Sequence, residues 1–70
     1  MKQEFYSIVY YENKEEWILI METALQRDYL CFKSKVKCMK MGKKIASENN
    51  IPIYIYDKNG DLIEKYYLKQ

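Results

Sequence analysis

The sequence predicts an α+β fold, in which a small antiparallel sheet packs one face against a single amphipathic helix, with the elements in the order β-β-β-α-β-β. Three observations predict it: short aromatic and β-branched runs fill residues 4–32, a lysine-rich stretch with a helical period follows, and two apolar runs flank Asn59-Gly60. A chain of 70 residues suffices for a single domain, residues 1–70, with a thin core.

Three strands are expected first, at residues 4–11, 17–22 and 27–32, which read EFYSIVYY, WILIME and RDYLCF. The second run alternates between two faces, one with Trp17, Leu19 and Met21 and the other with Ile18, Ile20 and Glu22. Because the connections between these runs are short, we expect an antiparallel meander.

One helix is expected over residues 35–48, because Ser34 is a good N-cap and Asn49-Asn50 is a stop signal. The side expected to face the sheet carries a row of small residues at intervals of four: Cys38, Gly42 and Ala46. A glycine inside a helix costs about 1 kcal/mol relative to alanine, so close approach to the sheet is the simplest compensation. The opposite side carries lysines: Lys37, Lys40, Lys43 and Lys44.

The strand after the helix, residues 51–56, alternates isoleucine with proline or tyrosine. We expect its isoleucines to face the helix and its tyrosines to point away. Pro52 has no amide proton to donate, which favours an edge or an unpaired side for the start of this strand.

Asn59-Gly60 predicts the turn of a terminal hairpin. A two-residue type I′ loop would pair Lys58 with Asp61, whereas a three-residue loop with a left-handed Gly60 would pair Asp57 with Asp61. The sequence alone does not decide between the two loops.

The chain has few residues suited to catalysis or metal binding, because it has no histidine and only two cysteines, Cys31 and Cys38. No serine lies in a Gly-x-Ser-x-Gly elbow, and the two glycines cannot form a phosphate loop. The glycine of DKNGD comes too early for a calcium loop, which favours a tight turn. We therefore expect no catalytic residue, metal or cofactor, no enzyme activity, and two reduced, buried thiols.

Membrane insertion is not expected, since the longest run free of polar residues and proline, Trp17 to Met21, is far shorter than the roughly 18 apolar residues of a spanning helix. The first 16 residues lack the pattern of a secretory signal, so we expect a cytoplasmic protein.

Three segments, EWILIME, CFKSKVKCMKMGKKIA and IPIYIYDKNGDLIEKYY, together resemble a family of small bacterial domains of unknown function. Its members carry a Gly-Trp-x-Val strand, a Phe-x-Thr-Lys helix start followed by small residues four apart, and a terminal Ile-His-Asp-Lys-Asp-Gly-x-Ile hairpin. The matching positions are Trp17 and Leu19 in the strand, Phe32, Ser34, Cys38, Gly42 and Ala46 at the helix, and Ile55, Asp57, Lys58, Asn59, Gly60 and Leu62 in the hairpin. The resemblance covers most of the chain from Trp17 to Tyr67 and implies the fold, without an activity.

The chain departs from that family at three positions. Glu16 replaces a glycine, Tyr56 a histidine and Asn59 the second aspartate, so any role of the histidine is lost here. A weaker likeness, over the first two thirds, is to the sheet-based DNA-binding arms of phage-type integrases, where Phe-Lys-Thr-Lys also opens a helix.

Six lysines between Lys33 and Lys44, with no acidic residue among them, give that segment a charge of +6, against +2 for the whole chain. Such a segment is either a phosphate-binding face or a solvated helix surface, and the solvated surface is the commoner case. If nucleic acid binds here, the residues expected to contact it are Lys37, Lys40, Lys43 and Lys44.

The eight tyrosines are explained first by packing and cross-strand pairing, and second by a protein interface or by stacking of bases. Tyr54 and Tyr56, on the face away from the helix, are the interface candidates. The sequence therefore favours a small interaction module that binds a protein, or a second copy of itself, through a sheet face or edge. A nucleic-acid-binding module is the alternative.

Overall fold

The computed structural model describes residues 4–66 and shows a five-stranded mixed sheet with one helix packed against it. The predicted α+β class and element order are confirmed. The elements are β1 (Phe5–Tyr11), a 3-10 turn (Glu12–Lys14), β2 (Glu16–Glu22), β3 (Arg27–Phe32), α1 (Lys35–Asn49), β4 (Ile53–Tyr56) and β5 (Leu62–Tyr66). The end of the predicted hairpin, beyond residue 66, lies outside the described residues.

The strand order is β3-β2-β1-β4-β5, with β1 in the middle. The predicted antiparallel meander of β1, β2 and β3 is confirmed, and β4 and β5 are also antiparallel. The expectation of a wholly antiparallel sheet is wrong at one pair, because β4 lies parallel to β1. β3 runs in the same direction as β1, and one helix then returns the chain to the end of the sheet where both began, so β4 repeats their direction.

The core lies between α1 and one face of the sheet. The alternation predicted for β2 and β4 is confirmed, since Leu19, Ile53 and Ile55 are fully buried and their neighbours in sequence are half-buried. The complete buried set is Tyr6, Ile8, Trp17, Leu19, Cys38, Ala46, Ile53 and Ile55.

The small-residue row lets α1 lie close to the sheet, as expected. Cys38, Gly42 and Ala46 are the buried residues of α1. A Cβ atom on Gly42 would lie 2.8 Å from Cδ1 of Ile53 and 3.0 Å from Cδ1 of Ile8. The absence of a side chain at this position therefore sets the distance between helix and sheet.

Both helix ends follow the predicted signals. The Ser34 hydroxyl accepts a hydrogen bond from the amide of Lys37 at 3.3 Å. Asn50 adopts the left-handed conformation, with φ 56°, and its amide donates to the carbonyls of Ala46 and Ser47.

The terminal hairpin uses the three-residue loop. Gly60 has φ 87°, and the amide of Asp57 donates to the carbonyl of Asp61 at 2.9 Å. The Asp57 carboxylate accepts from the amides of Asn59 and Asp61, both at 2.9 Å, which fixes the turn from inside.

A β-bulge then changes the register of β5. A three-residue loop alone would set Ile55 opposite Ile63, but a shift between the pairs of Ile55 and Tyr56 sets Ile55 opposite Glu64. Glu64 and Tyr66 consequently lie on the helix side, where both contact Lys43.

The edge position, one of the two alternatives expected for Pro52, and the burial expected for Cys31 are both wrong. β4 lies between β1 and β5, so Pro52 does not mark a sheet edge; it precedes the strand, and its carbonyl accepts from the amide of Tyr6 at 2.9 Å. Cys31 is exposed, because it points away from the helix on the edge strand β3. Cys38 is buried, as expected, and both thiols are free.

Within residues 4–66, no helix combines the length and the apolar character needed to cross a membrane.

Candidate interaction surface

The side of the sheet opposite α1 carries no second layer among the described residues, and we call it the open face. Because side chains alternate along a strand, every second residue of β1, β2, β3 and β4 points to the open face and away from the helix. These residues are neighbours of one another across the paired strands. Sheets of this kind commonly cover one face and leave the other to solvent, and the solvated face is then polar. Here the composition of the open face is different.

The register of the strands arranges the centre of the open face in two rows. One row crosses the sheet as Tyr29, Ile20, Ser7 and Tyr54. The next crosses it as Cys31, Ile18 and Val9, with Tyr56 beside Val9 on β4. These eight side chains form what we call the central band, and none of them is charged.

Charged side chains lie at the ends and at one side of the central band. On β2, Glu22 forms an ion pair with Arg27 at 2.8 Å, and Glu16 lies 3.6 Å from Lys33. The hydrogen bond to Glu22 raises the pKa of the Arg27 guanidinium above its already high value. On the β5 side, Lys65 is paired with Tyr54 in the ladder. The charges therefore frame the central band without entering it.

Solvent reaches a large part of the apolar surface on the open face. Tyr29 is 54% exposed, Phe5 43% and Tyr11 41%, whereas Ile8 and Leu19 on the helix side are 0% exposed. The rings of Phe5 and Tyr54 lie 5.2 Å apart and extend the aromatic area beyond the central band. Contiguous exposed apolar area of this kind marks interaction sites in soluble domains.

The two interface candidates from the sequence, Tyr54 and Tyr56, both belong to the central band and are half-buried. The residues that sequence reasoning missed there are the partners on the other strands, above all Ile18, Ile20 and Tyr29. The alternation of β2 had placed the two isoleucines on one face, and that was the signal that could have found them.

The four lysines proposed for nucleic acid do not form one solvated patch. Lys37, Lys40 and Lys44 are exposed on the outer side of α1. Lys43 is half-buried at the flank of the helix, where its ammonium group lies 2.7 Å from Glu64 and 5.3 Å from the Tyr66 ring. The expectation that Lys43 shares their solvated side is wrong, because the bulge in β5 brings an acidic partner to it.

The remaining structural residues behave as packing and turn residues. The Trp17 ring is buried, 4.9 Å from Tyr10, and the ammonium group of Lys35 lies 5.2 Å from its centre. Asn59 and Gly60 are exposed in the hairpin turn.

A groove of about 410 Å³ lies beside the central band, between Val9, Tyr10, Tyr56 and the turn at residues 57–60. Its two charged side chains are already engaged: the Asp57 carboxylate accepts hydrogen bonds from the turn, and the Lys58 ammonium lies 4.9 Å from the Tyr10 ring. The described residues contain no group of three potential metal ligands. The groove thus brings together no set of reactive side chains.

Cys38 places a thiol in the core. Burial, and secondly the nearby Cys31 thiol, raise the pKa of the Cys38 thiol to about 11. A thiol that stays protonated at neutral pH is a poor nucleophile, so Cys38 serves packing.

Comparison with known protein families, with curated protein sequences and with solved structures finds no match to this chain. The resemblance to small bacterial domains therefore stays a prediction.

Proposed function

We propose that this domain is a small non-catalytic interaction module that binds a protein partner through the open face. The observation that carries the proposal is the central band: eight uncharged side chains, in contact across four strands, on the side of the sheet that the helix leaves uncovered. Covering such a surface is favourable by roughly 25 cal/mol for each Å² of apolar area removed from water.

The composition of the open face fits a protein partner better than a small molecule. Interface cores are depleted in charge and enriched in tyrosine, with a polar rim, and the central band framed by Glu16, Glu22, Arg27 and Lys65 has this arrangement. Small ligands are held in enclosed, concave pockets, whereas the groove lined by Val9 and Tyr56 is open to solvent.

The outer edge of β3 adds a second contact to the same surface. β3 is an edge strand of six residues, and its pairing with β2 is regular throughout. The other edge, β5, is interrupted by the bulge, which discourages further pairing. A partner that covers Tyr29 can therefore also reach the outer backbone groups of β3, which pair with no other strand within residues 4–66.

Site-specific photo-cross-linking in cells tests this function. Tyr29 is replaced by photoreactive benzoylphenylalanine to sample the open face, and Lys40 is replaced in a matched variant to sample the outer side of α1. We expect defined adducts from position 29 and none above background from position 40, because position 29 lies in the uncharged central band and position 40 lies among exposed lysines of α1. Adducts from neither position, or equally from both, would refute the proposal.

Nucleic-acid binding is the second candidate, and the observation that favours it is the exposed set Lys37, Lys40 and Lys44 in a segment free of acidic residues. Fluorescence anisotropy with labelled duplex and single strands at low and physiological salt tests it. With Lys43 engaged by Glu64, three phosphate contacts remain, and the logarithm of duplex affinity should fall with the logarithm of salt at a slope of about −2.7. Four contacts would give about −3.6.

The matched variant changes Lys37, Lys40 and Lys44 to glutamate and leaves Lys43 in place, because a change at Lys43 would also remove its ion pair with Glu64. Loss of binding without a change in melting temperature would support a nucleic-acid site on the helix. Binding that survives this change but is lost on Tyr54→Ala and Tyr56→Ala would move the site to the open face, where bases stack on rings. If neither duplex nor single strands bind at low salt, the nucleic-acid-binding function is excluded.

A further inference from the structure

We infer that the partner of the open face is a second copy of this chain, packed face to face about a two-fold axis that runs along β1. This inference rests on the proposed function and names its partner. Its starting point is the strand order β3-β2-β1-β4-β5, in which β1 has two strands on either side. A two-fold axis along β1 stacks β2 of each copy on β4 of the other, and β3 on β5, so that all five strands of both sheets are covered.

The side chains that this axis brings together differ in shape in a complementary way. Ile20 on β2 and Tyr54 on β4 lie in the same row. Ile20 of one copy therefore packs on Tyr54 of the second copy, and Tyr54 of the first packs on Ile20 of the second. Ile18 and Tyr56 are related in the same way in the next row. On the axis itself, between Phe5 and Tyr11, lie the smaller Ser7 and Val9, which allow the centres of the two sheets to approach to the usual distance of about 10 Å.

Charge favours this axis over one that runs across the strands. With the axis along β1, the acidic residues Glu22 and Glu16 of β2 lie in the rows of Phe5 and Tyr11, beyond the two ends of β4, so neither falls on an acidic residue of that strand. Lys65 of β5 falls in the row of Tyr29 on β3, where an ammonium group and an aromatic ring attract each other.

An axis running across the strands would instead stack β2 on β2. It would place Glu22 of one copy near Glu16 of the other, twice in each dimer, and like charges at an interface are unfavourable. The strand order and the charge pattern thus agree on one arrangement.

The area of the open face is at the low end for a specific dimer. Strands of four to seven residues, about 3.3 Å per residue and about 4.8 Å apart, give a face of roughly 450 Å² for each copy, or about 900 Å² in total, which is the range of weak interfaces. Interfaces at this lower limit are reversible, so we expect association that depends on concentration.

Sedimentation equilibrium of the full 70-residue chain over a wide concentration range tests the inference. The wild type should show a reversible monomer–dimer equilibrium. Ile20→Lys and Tyr54→Glu should each weaken it by roughly tenfold or more, because each places a charge in an apolar contact. Val36→Glu, an equivalent change on the exposed outer side of α1, should leave it unchanged.

Mixing the Ile20→Lys and Tyr54→Glu chains tests the direction of the two-fold axis. The axis along β1 places position 20 of one chain on position 54 of the other, so the new charges attract and one native contact remains. We expect a heterodimer in the mixture, whereas each variant alone is largely monomeric. Recovery in the mixture also shows that both variants are folded.

Three results would overturn the inference, and they differ from a failure of the proposed function. A wild type that stays monomeric at the highest concentration excludes the second copy, while cross-links from position 29 to a different protein would keep the proposed function. A dimer that survives both single changes lies elsewhere, for example at the β3 edge. Two weakened variants that do not recover in the mixture contradict the axis along β1.

Discussion

Gly42 determines how closely the helix packs on the sheet, because this residue has no side chain. The nearest groups are methyl carbons of Ile53, Ile8 and Leu19, at 2.8 to 3.2 Å from an ideal Cβ position. These contacts leave no room for a larger side chain unless the helix moves or these methyl groups shift. The packing of the whole core therefore depends on one residue whose helix propensity is poor.

Gly42→Leu should destabilise the fold by about 1–3 kcal/mol, because the added atoms overfill a packed core. Lys40→Leu, on the exposed side of the same helix, should change the free energy of unfolding little. Thermal or urea unfolding of both variants measures this. A larger loss for Lys40→Leu than for Gly42→Leu would mean that the helix is turned the other way.

Cys38 makes stability depend on pH in the alkaline range. Its thiol has a pKa of about 11 in the folded chain, raised by burial and by Cys31, against about 8.5 in an unfolded chain. Because the folded pKa is the higher one, its contribution to stability is complete below about pH 8.5 and is lost as the pH rises toward 11.

Urea unfolding at pH 8 and pH 10.5 should therefore show a loss of about 2 kcal/mol that comes from this thiol. Cys38→Ala should lack that part of the loss, while Cys31→Ser should retain most of it because burial is the larger cause. The three chains differ only at the two thiols, so the comparison isolates Cys38. Equal losses in all three would disprove the assignment.

Among the elements, the hairpin shows what local sequence can and cannot predict. The turn at Asn59-Gly60 and the two faces of β4 could be predicted, because turn residues and alternation act over a few positions. The bulge in β5 could not, because the gain from the shifted register is the contact of Glu64 and Tyr66 with Lys43, which lies on a distant helix. The parallel pairing of β4 with β1 likewise depends on where the helix returns the chain.

Asp57→Ala should destabilise the hairpin by about 1 kcal/mol, because its carboxylate accepts hydrogen bonds from the amides of Asn59 and Asp61. Asp61→Ala is the matched control, since the described contacts of Asp61 are made by its backbone. Urea unfolding compares the two. If Asp61→Ala is as costly as Asp57→Ala, the loss reflects charge in the turn instead of these hydrogen bonds.

For the whole molecule, the decisive feature is that one helix covers one side of a five-stranded sheet. Tyr54 and Tyr56 could be predicted as surface tyrosines from β4 alone. The central band could not, because it requires the strand order that brings Ile18, Ile20 and Tyr29 into the same two rows. The proposed site is thus a property of the assembled sheet.

The isoleucine methyl groups test the central claim most directly, because isoleucines lie on both sides of the sheet. Ile18 and Ile20 belong to the open face, Ile8, Ile53 and Ile55 to the core, and Ile45 to the flank of α1. Methyl NMR spectra of the labelled chain, recorded across a dilution series, should show shifts that depend on concentration at Ile18 and Ile20 while the three core isoleucines stay constant. Shifts confined to Ile45, or no shift at any isoleucine, would contradict self-association through the open face.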